Sequence, residues 1–258
     1  MMLRAILIVL LVALTGPLAA QDPFNPFGLA SIDERPGAHI PMDLAFTGAT
    51  GQRTTLREIG AGKPILLAPV LHDCPNLCGV TLAGLADAIA AQPHRPGQDF
   101  VVTAFGIDPR EDASAAARDL TRLQKASGGN AIAPVSALIG DERSIRAVTN
   151  ALGFRYAWDD RMGQYAHVAA VAVLTPDGRL SSWLYGLTPQ PQAVGQAIAA
   201  AAEGRTGSWT DRLLLLCYHY DPATGRYTPA IEMILRIAAA VTVAGLALLL
   251  WRLRRRPA

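Results

Sequence analysis

The chain contains the segment Ile65-Leu66-Leu67-Ala68-Pro69-Val70-Leu71-His72-Asp73-Cys74-Pro75-Asn76-Leu77-Cys78-Gly79, in which an apolar run leads directly into two cysteines. The run over residues 65–70 predicts a buried strand, and the pattern over residues 80–91 predicts a helix. A strand that delivers two thiols to the start of a helix has few purely structural uses. We therefore interpret the rest of the chain by what it adds to these cysteines, which are two of only three in the sequence.

Strands and helices are predicted to alternate on both sides of this segment. A small hairpin is predicted over residues 44–56, and the turn Thr175-Pro176-Asp177-Gly178 predicts a second one. The other predicted strands cover residues 100–106, 134–139, 168–174 and 180–185, and the predicted helices cover residues 113–125, 142–152 and 191–203. This alternation predicts an α/β domain in which helices flank a mixed sheet.

The composition excludes one class of partner. Hydrophobic residues make up 51% of the 258, and the excess lies at the two ends. The formal net charge is +2, but the tail Trp251-Arg252-Leu253-Arg254-Arg255-Arg256 carries four arginines, so the remainder is slightly acidic. No basic surface stripe is therefore predicted, which argues against binding of nucleic acid.

The N-terminus has the pattern of a secretory signal. Residues 1–20 combine Arg4, a short apolar core and the small residues Ala19-Ala20. This pattern predicts a cleaved signal peptide, and the apolar core is short for the alternative, a retained anchor.

The C-terminus has the pattern of a membrane span. The predicted span covers residues 231–253, which are apolar from residue 233 onward except for Arg236 and Arg252 near the ends. Residues 237–250 lack the polar face of the alternative, a buried core helix. Because positive residues stay inside, the tail is predicted to be cytoplasmic and the domain extracytoplasmic, in an oxidising space. The predicted parts are a signal peptide, an extended lead-in, the α/β domain, a linker, a transmembrane helix and a basic tail, at residues 1–20, 21–43, 44–205, 206–230, 231–253 and 254–258.

The spacing of Cys74 and Cys78 favours a metal site. If the helix begins within the loop, the two side chains lie on one helix face about 6 Å apart. That separation is wide for a disulfide but suits two thiolates that bind one soft ion such as Cu(I). A helix N-terminus also favours the thiolate. The alternatives are a structural disulfide between the two cysteines and two buried thiols without chemical function.

A third ligand would have to come from elsewhere in the chain. His167 is the best candidate, because it lies directly before a predicted strand, although a single histidine there is more often a surface residue. His72 precedes Cys74 closely, but we expect it to point back along the strand. Cys217 and His219 form a separate pair, which is either a second copper or redox station near the membrane or a packed loop.

The motifs together resemble the Sco/SenC family. The resemblance rests on Cys74-Pro75-Asn76-Leu77-Cys78, Gly106-Ile107-Asp108-Pro109-Arg110, His167 before Leu174-Thr175-Pro176-Asp177-Gly178, and Trp183-Leu184-Tyr185-Gly186. It implies a thioredoxin-like fold, a mixed sheet flanked by helices, in a membrane-anchored copper protein. It further implies one copper ion, Cu(I) or Cu(II), bound by Cys74, Cys78 and His167.

The chain also differs from the usual family pattern. Gly79 stands where the family often has proline, and Ala166 stands where it often has aspartate. The predicted anchor is C-terminal, as in a bacterial subgroup that also carries the segment Leu216-Cys217-Tyr218-His219-Tyr220-Asp221-Pro222.

The resemblance implies a function at the bacterial inner membrane, with the domain in the periplasm. The first hypothesis is a copper chaperone that matures the binuclear copper centre of cytochrome c oxidase. Its partners would be the copper-binding oxidase subunit and other periplasmic copper chaperones or thiol reductants. The second hypothesis is a thiol–disulfide reductase that cycles Cys74 and Cys78 and keeps the cysteines of a partner reduced. A thiol peroxidase or redox sensor is a third possibility. Asp108 and Arg110 are expected either to position the cysteine loop or dock a partner, or simply to cap the next helix.

Overall fold

The computed structural model describes residues 30–73, 78–126 and 135–207, together with 220–221, 226–227, 237–238, 242 and 245. The predicted signal peptide, Cys74, the Cys217 and His219 pair and most of the predicted membrane span lie outside the described residues. Within the described part of the chain, no helix is long and apolar enough to cross a membrane.

The described elements alternate between strands and helices. The strands are β1 (Ser31–Ile32), β2 (Phe46–Gly48), β3 (Arg53–Thr54), β4 (Ile65–Val70), β5 (Val101–Gly106), β6 (Val135–Ile139), β7 (Phe154–Arg155), β8 (Ala157–Asp159), β9 (Gln164–Ala166), β10 (Ala170–Leu174), β11 (Leu180–Tyr185), β12 (Tyr220–Asp221) and β13 (Arg226–Tyr227). The helices are α1 (Leu56–Gly60), α2 (Cys78–Ala90), α3 (Ala113–Ala126), α4 (Glu142–Leu152) and α5 (Pro191–Ala202).

A seven-stranded sheet in the order β11-β10-β4-β5-β6-β2-β3 forms the centre of the domain. Strands β4, β5 and β6 are parallel to one another, and the flanking pairs are antiparallel. Every residue of β4, β5 and β10 is buried, which is why their sequences are apolar runs without alternation. The predicted mixed sheet with flanking helices is confirmed.

Helix α2 is central to the packing, because it contacts both α3 and α5. Its buried residues include Leu82, Leu85 and Ile89, which recur at helical spacing and point one side of the helix into the core. The helix that carries the second cysteine is therefore packed into the core from Leu82 to Ile89.

The described part of the lead-in is attached to the domain. β1 pairs with β7, and the N–H of Asp33 donates to the carbonyl of Gly153 at 2.8 Å. Gly153 ends α4 with a φ of 72°, and a Cβ there would lie 1.9 Å from the Asp33 carbonyl oxygen. Glycine is thus required both for the helix end and for the close approach of the lead-in.

Two local predictions differ from the structure. The hairpin strand predicted to reach residue 56 stops at Thr54, because Thr55 and Glu58 form a capping box that begins α1. No strand is predicted between the helix that ends at residue 152 and the strand that begins at residue 168, whereas residues 157–166 form the hairpin β8–β9. Its strands are short, and the cross-strand pair of Trp158 and Tyr165 stabilises them.

Candidate metal centre

The candidate site lies at one edge of the central sheet. β4 and β5 are parallel, with Val70 opposite Gly106, so the segments that follow them leave the sheet side by side. β10 runs antiparallel to β4 with Ala172 opposite Leu67, so the start of β10 lies at the same edge. The topology therefore brings together the segment that enters Cys74, the turn after β5 and the segment that contains His167.

Cys78 is the first residue of α2. The unpaired N–H groups and the dipole of a helix N-terminus lower the pKa of a thiol there. The side chain of Cys78 lies outside the described part of the chain, as does Cys74. The prediction that the two sulfur atoms lie on one helix face therefore stays a prediction.

His167 lies between β9 and β10 and is half-buried. Its ring centroid is 6.3 Å from that of Phe154, which stacks in turn on Trp183 at 5.9 Å. Nδ1 of His167 is 3.2 Å from the carbonyl oxygen of Val168. Because a carbonyl only accepts, this contact favours a proton on Nδ1, and in that neutral tautomer Nε2 carries the lone pair that metal ligation needs.

Ligation itself remains a prediction. Among the residues that the structure describes, no group of three or more His, Cys, Asp or Glu side chains could hold a metal ion. The predicted set of Cys74, Cys78 and His167 includes side chains beyond those residues.

His72 is an important residue that sequence reasoning undervalued. Its ring is completely buried, with Nδ1 3.0 Å from a carboxylate oxygen of Asp119 and Nε2 3.0 Å from the carbonyl oxygen of Leu138. Both neighbours can act as acceptors, so the two contacts favour the doubly protonated imidazolium form of the ring. Burial alone would lower the pKa of His72, but the hydrogen bonds to Asp119 and Leu138 raise it above the ordinary value.

Gly106 makes room for this buried ring. A Cβ at Gly106 would lie 2.9 Å from Cδ2 of His72 and 2.9 Å from the Leu138 carbonyl oxygen. The family-like Gly106-Ile107-Asp108 segment thus has a local physical reason for its glycine, which the sequence alone did not reveal.

Helix α3 holds the residues that enter the cysteine loop. Nη2 of Arg118 donates to both carboxylate oxygens of Asp73, at 2.9 and 2.7 Å. Arg122 donates to the carbonyl of His72 and lies 3.6 Å from Asp119. One face of α3 therefore holds the side chain of Asp73 and the backbone of His72.

Glu111 contacts the same segment from the turn after β5. Its Oε1 accepts the backbone N–H of Asp73 at 2.9 Å, while its Oε2 is buried without a hydrogen-bond partner. Burial raises the pKa of this carboxyl to about 7, although the Asp73 N–H and the positive charge of His72 lower it. Sequence reasoning missed Glu111, since nothing in the sequence distinguishes it from its acidic neighbours.

Asp108 and Arg110 pair with each other in the turn after β5. The helix cap is Asp112, whose Oδ1 accepts from the N–H of Ala115 at 2.9 Å. Asp108 instead holds the guanidinium of Arg110 through two contacts of 2.8 and 2.6 Å. That guanidinium lies over the ring of Trp158, with its carbon atom 4.2 Å from the ring centroid. Simple helix capping is therefore wrong for this pair.

These groups surround a cavity of about 540 Å³ beside Asp73, the residue before Cys74. It is lined by Leu71, Asp73, Asp108, Arg110, Glu111, Asp112, Arg118, Met162, Gly163 and Gln164. Most of the charged side chains that line the cavity form ion pairs within the protein, so ion pairs form much of the cavity wall.

The sheet order, the helix that starts at Cys78 and the flanking helices define a thioredoxin-like α/β protein. A family model described as SCO1/SenC matches residues 32–203. Because that match covers most of the chain, the protein belongs to the SCO1/SenC family. The predicted bacterial subgroup with a C-terminal anchor stays a prediction.

Solved structures share the fold at low sequence identity. A protein from Aquifex aeolicus VF5 has 24% identity and a TM-score of 0.56, over 66% of this chain and 95% of that one. ScoI of Arabidopsis thaliana, solved with copper bound, has 17% identity and a TM-score of 0.50, over 65% and 98%. BsSco, a Sco-family cytochrome c oxidase assembly protein with a disulfide switch, has 15% identity and a TM-score of 0.50, over 66% and 97%. None of the curated proteins matches the chain.

Proposed function

We propose that this protein is a membrane-anchored copper chaperone of the bacterial periplasm. It binds one copper ion through Cys74, Cys78 and His167 and delivers that ion to the binuclear copper centre of cytochrome c oxidase. The anchor is the segment 231–253, and the cleaved signal is the segment 1–20. Copper is here the cargo of the protein, so the site must release the ion as well as bind it.

Family membership carries this proposal, and the sheet topology supports it. The chain belongs to the SCO1/SenC family over residues 32–203. Two relatives in fold are ScoI of Arabidopsis thaliana, solved with copper bound, and BsSco, a cytochrome c oxidase assembly protein. In this chain, the end of β4 that leads to Cys74 and the start of β10 after His167 lie at one sheet edge.

The residue types suit the transfer of copper. Two thiolates bind Cu(I) nearly linearly, and an imidazole adds a third ligand that also suits Cu(II). A copper ion held by few ligands can accept a thiolate from a partner before a ligand of the chaperone leaves. The position of Cys78 at the helix start suits this role, because the N–H groups and dipole of a helix N-terminus favour the thiolate over the thiol.

The test is copper stoichiometry of the full-length chain. We expect the reduced wild-type protein to bind about one Cu(I) per chain, and Cys74→Ser or Cys78→Ser to abolish tight binding. Cys217→Ser serves as the matched control, since it removes the third thiol of the sequence. Loss of binding only in Cys217→Ser, or no binding by the wild type, would contradict the proposal.

A thiol–disulfide reductase is the second candidate. It is favoured by the cysteine pair itself and by the disulfide switch identified in BsSco. The two functions share Cys74 and Cys78 but differ in their need for an imidazole. Oxidase assembly in cells that carry His167→Ala separates them. Retained assembly, together with loss in either cysteine variant, would favour the reductase.

A further inference from the structure

The turn Asp108-Pro109-Arg110-Glu111 lies between the two segments that carry the proposed copper ligands. We propose that this turn, here called the bracket turn, fixes the cysteine segment relative to the histidine segment. Arg110 and Glu111 are its positioning residues. The inference rests on the proposed copper site, and it assigns a role to residues that contribute no ligand to that site.

Glu111 holds the cysteine segment. Its Oε1 accepts the N–H of Asp73 at 2.9 Å, one residue before Cys74. Its Oε2 is buried and has no hydrogen-bond partner, so the bond to Asp73 is the contact that orients this carboxyl. Because the accepted N–H belongs to the backbone, the bond restrains the path of the chain as it enters the cysteine loop.

Arg110 holds the histidine segment. Its guanidinium carbon lies 4.2 Å from the ring centroid of Trp158 and 5.7 Å from that of Tyr165. These two rings pair across the hairpin β8–β9, with centroids 5.4 Å apart. Tyr165 precedes His167 by two residues. The contact of Arg110 therefore fixes the hairpin directly before the proposed imidazole ligand.

The two contacts belong to one rigid unit. Asp108 binds the side chain of Arg110 at 2.6 and 2.8 Å and also accepts its backbone N–H at 2.9 Å. Asp108 is itself mostly buried, with 12% of its side chain exposed. Arg110 is therefore anchored at the guanidinium and at the backbone, and Glu111 is the next residue. A shift of the bracket turn would move both ligand segments.

Binding of Cu(I) and binding of Cu(II) should depend on the bracket turn to different degrees. Two thiolates suffice for Cu(I), whereas Cu(II) gains more from the imidazole. A ligand group must be held within about 0.5 Å of its productive position. Loosening the hairpin should therefore weaken Cu(II) binding and its nitrogen ligation first, and leave binding of Cu(I) by the cysteines largely intact.

The first experiment compares Arg110→Ala with Arg146→Ala in the full-length chain. Arg146 is a matched control, because its guanidinium carbon lies 4.5 Å above Tyr156 of the same aromatic cluster but outside the bracket turn. Cu(II) affinity, nitrogen hyperfine coupling in the electron paramagnetic resonance spectrum and Cu(I) affinity are measured. We expect Arg110→Ala to weaken Cu(II) binding roughly threefold to tenfold with reduced nitrogen coupling. Arg146→Ala should match the wild type.

The second experiment tests the cysteine side and does not need copper. Glu111→Ala removes the acceptor for the Asp73 N–H, while Glu111→Gln keeps an amide oxygen there. In the copper-free protein, we expect faster amide hydrogen exchange at Asp73 in Glu111→Ala and near-normal exchange in Glu111→Gln. Residues 164–166 should exchange faster in Arg110→Ala but not in Arg146→Ala.

The outcomes separate this inference from the proposed function. If the wild type binds copper and Arg110→Ala keeps its Cu(II) affinity and nitrogen coupling, the bracket turn is not a positioning element. Equal loss in Arg110→Ala and Arg146→Ala would also overturn it, since general loosening of the aromatic cluster would then explain the effect. If the wild type binds no copper, the proposed function fails, and unchanged hydrogen exchange in Arg110→Ala and Glu111→Ala would overturn the bracket turn independently.

Discussion

Nδ1 of His72 lies 3.0 Å from Oδ2 of Asp119, and both side chains are almost completely shielded from solvent. The pair joins the end of β4 to helix α3, at the point where the chain turns toward its first two cysteines. The imidazolium is also bonded to Leu138, so three elements of the fold meet at one buried charge. The buried ion pair therefore supports the segment that leads to Cys74.

Asp119→Asn should destabilise the domain substantially. The substitution leaves a buried imidazolium without its counter-ion, and breaking such a pair costs about 3–5 kcal/mol in other proteins. We expect a loss of about 2–4 kcal/mol at pH 6 in urea unfolding. Asp43→Asn is the control, because Asp43 pairs with Arg57 while 72% of its side chain is exposed. Equal effects of the two substitutions would contradict the special role of His72.

The contribution of this pair should also depend on pH. The pKa of His72 is raised above its ordinary value of 6.5 in the folded chain. The stabilisation is therefore fully present below that ordinary value and is lost as the pH rises through the raised pKa. The difference in unfolding free energy between wild type and Asp119→Asn should be largest in acid and should decrease in alkali. A difference that grows with rising pH would show that the ring is neutral.

Glu111→Gln should remove a second pH dependence. The pKa of Glu111 is raised from 4.5 to about 7, chiefly by burial, while His72, Asp108 and Asp73 supply the surrounding charges. The folded chain therefore binds an extra proton between these values, and its stability falls as the pH rises through that window. Because the carboxyl is partly exposed, we expect about 1–2 kcal/mol. The free energy of unfolding is measured at pH 5 and at pH 8. Relative to the wild type, Glu111→Gln should be more stable at pH 8 than at pH 5.

Gly106→Ala should destabilise the protein, although alanine is normally a mild substitution. The new Cβ would press on His72 and on the Leu138 carbonyl oxygen, both at 2.9 Å. Overpacking of this kind costs about 1–3 kcal/mol. Gly195→Ala in α5 is the control, because its nearest neighbour would be 3.7 Å away. That variant should gain up to about 1 kcal/mol from helix propensity. Thermal unfolding distinguishes the two, and stabilisation by Gly106→Ala would contradict the packing.

The sequence predicts the central fold well because its signals are local. The apolar runs of β4, β5 and β10 and the glycine that ends α4 are visible in short windows, and the resemblance adds the thioredoxin-like class. The hairpin β8–β9 was less visible, since its strands are short and depend on an aromatic pair across a turn.

The support beneath the site was not predictable for a different reason. His72 meets Asp119 and Leu138 across 47 and 66 residues of sequence. No periodicity links residues so far apart, and only the parallel arrangement of β4, β5 and β6 brings them together. The role of Glu111 depends on the same topology. Single-sequence patterns therefore identify the groups that carry chemistry more readily than the groups that hold them.

Phe154→Leu should separate packing from site geometry. Phe154 is 2% exposed and stacks on Trp183. Its ring centroid lies 6.3 Å from that of His167. Leucine keeps an apolar side chain but removes the flat surface, so we expect a loss of about 1–2 kcal/mol in stability. The matched control is Phe46→Leu, because Phe46 is equally buried but packs edge-to-face on Phe105 at 5.2 Å. Both variants should lose similar stability, whereas only Phe154→Leu should weaken Cu(II) binding and its nitrogen coupling, since Phe154, unlike Phe46, lies beside the ring of His167. Unfolding and copper titration of the two variants under one set of conditions test this directly. Equal copper binding by both variants would show that Phe154 is a core residue without a role in orienting the imidazole.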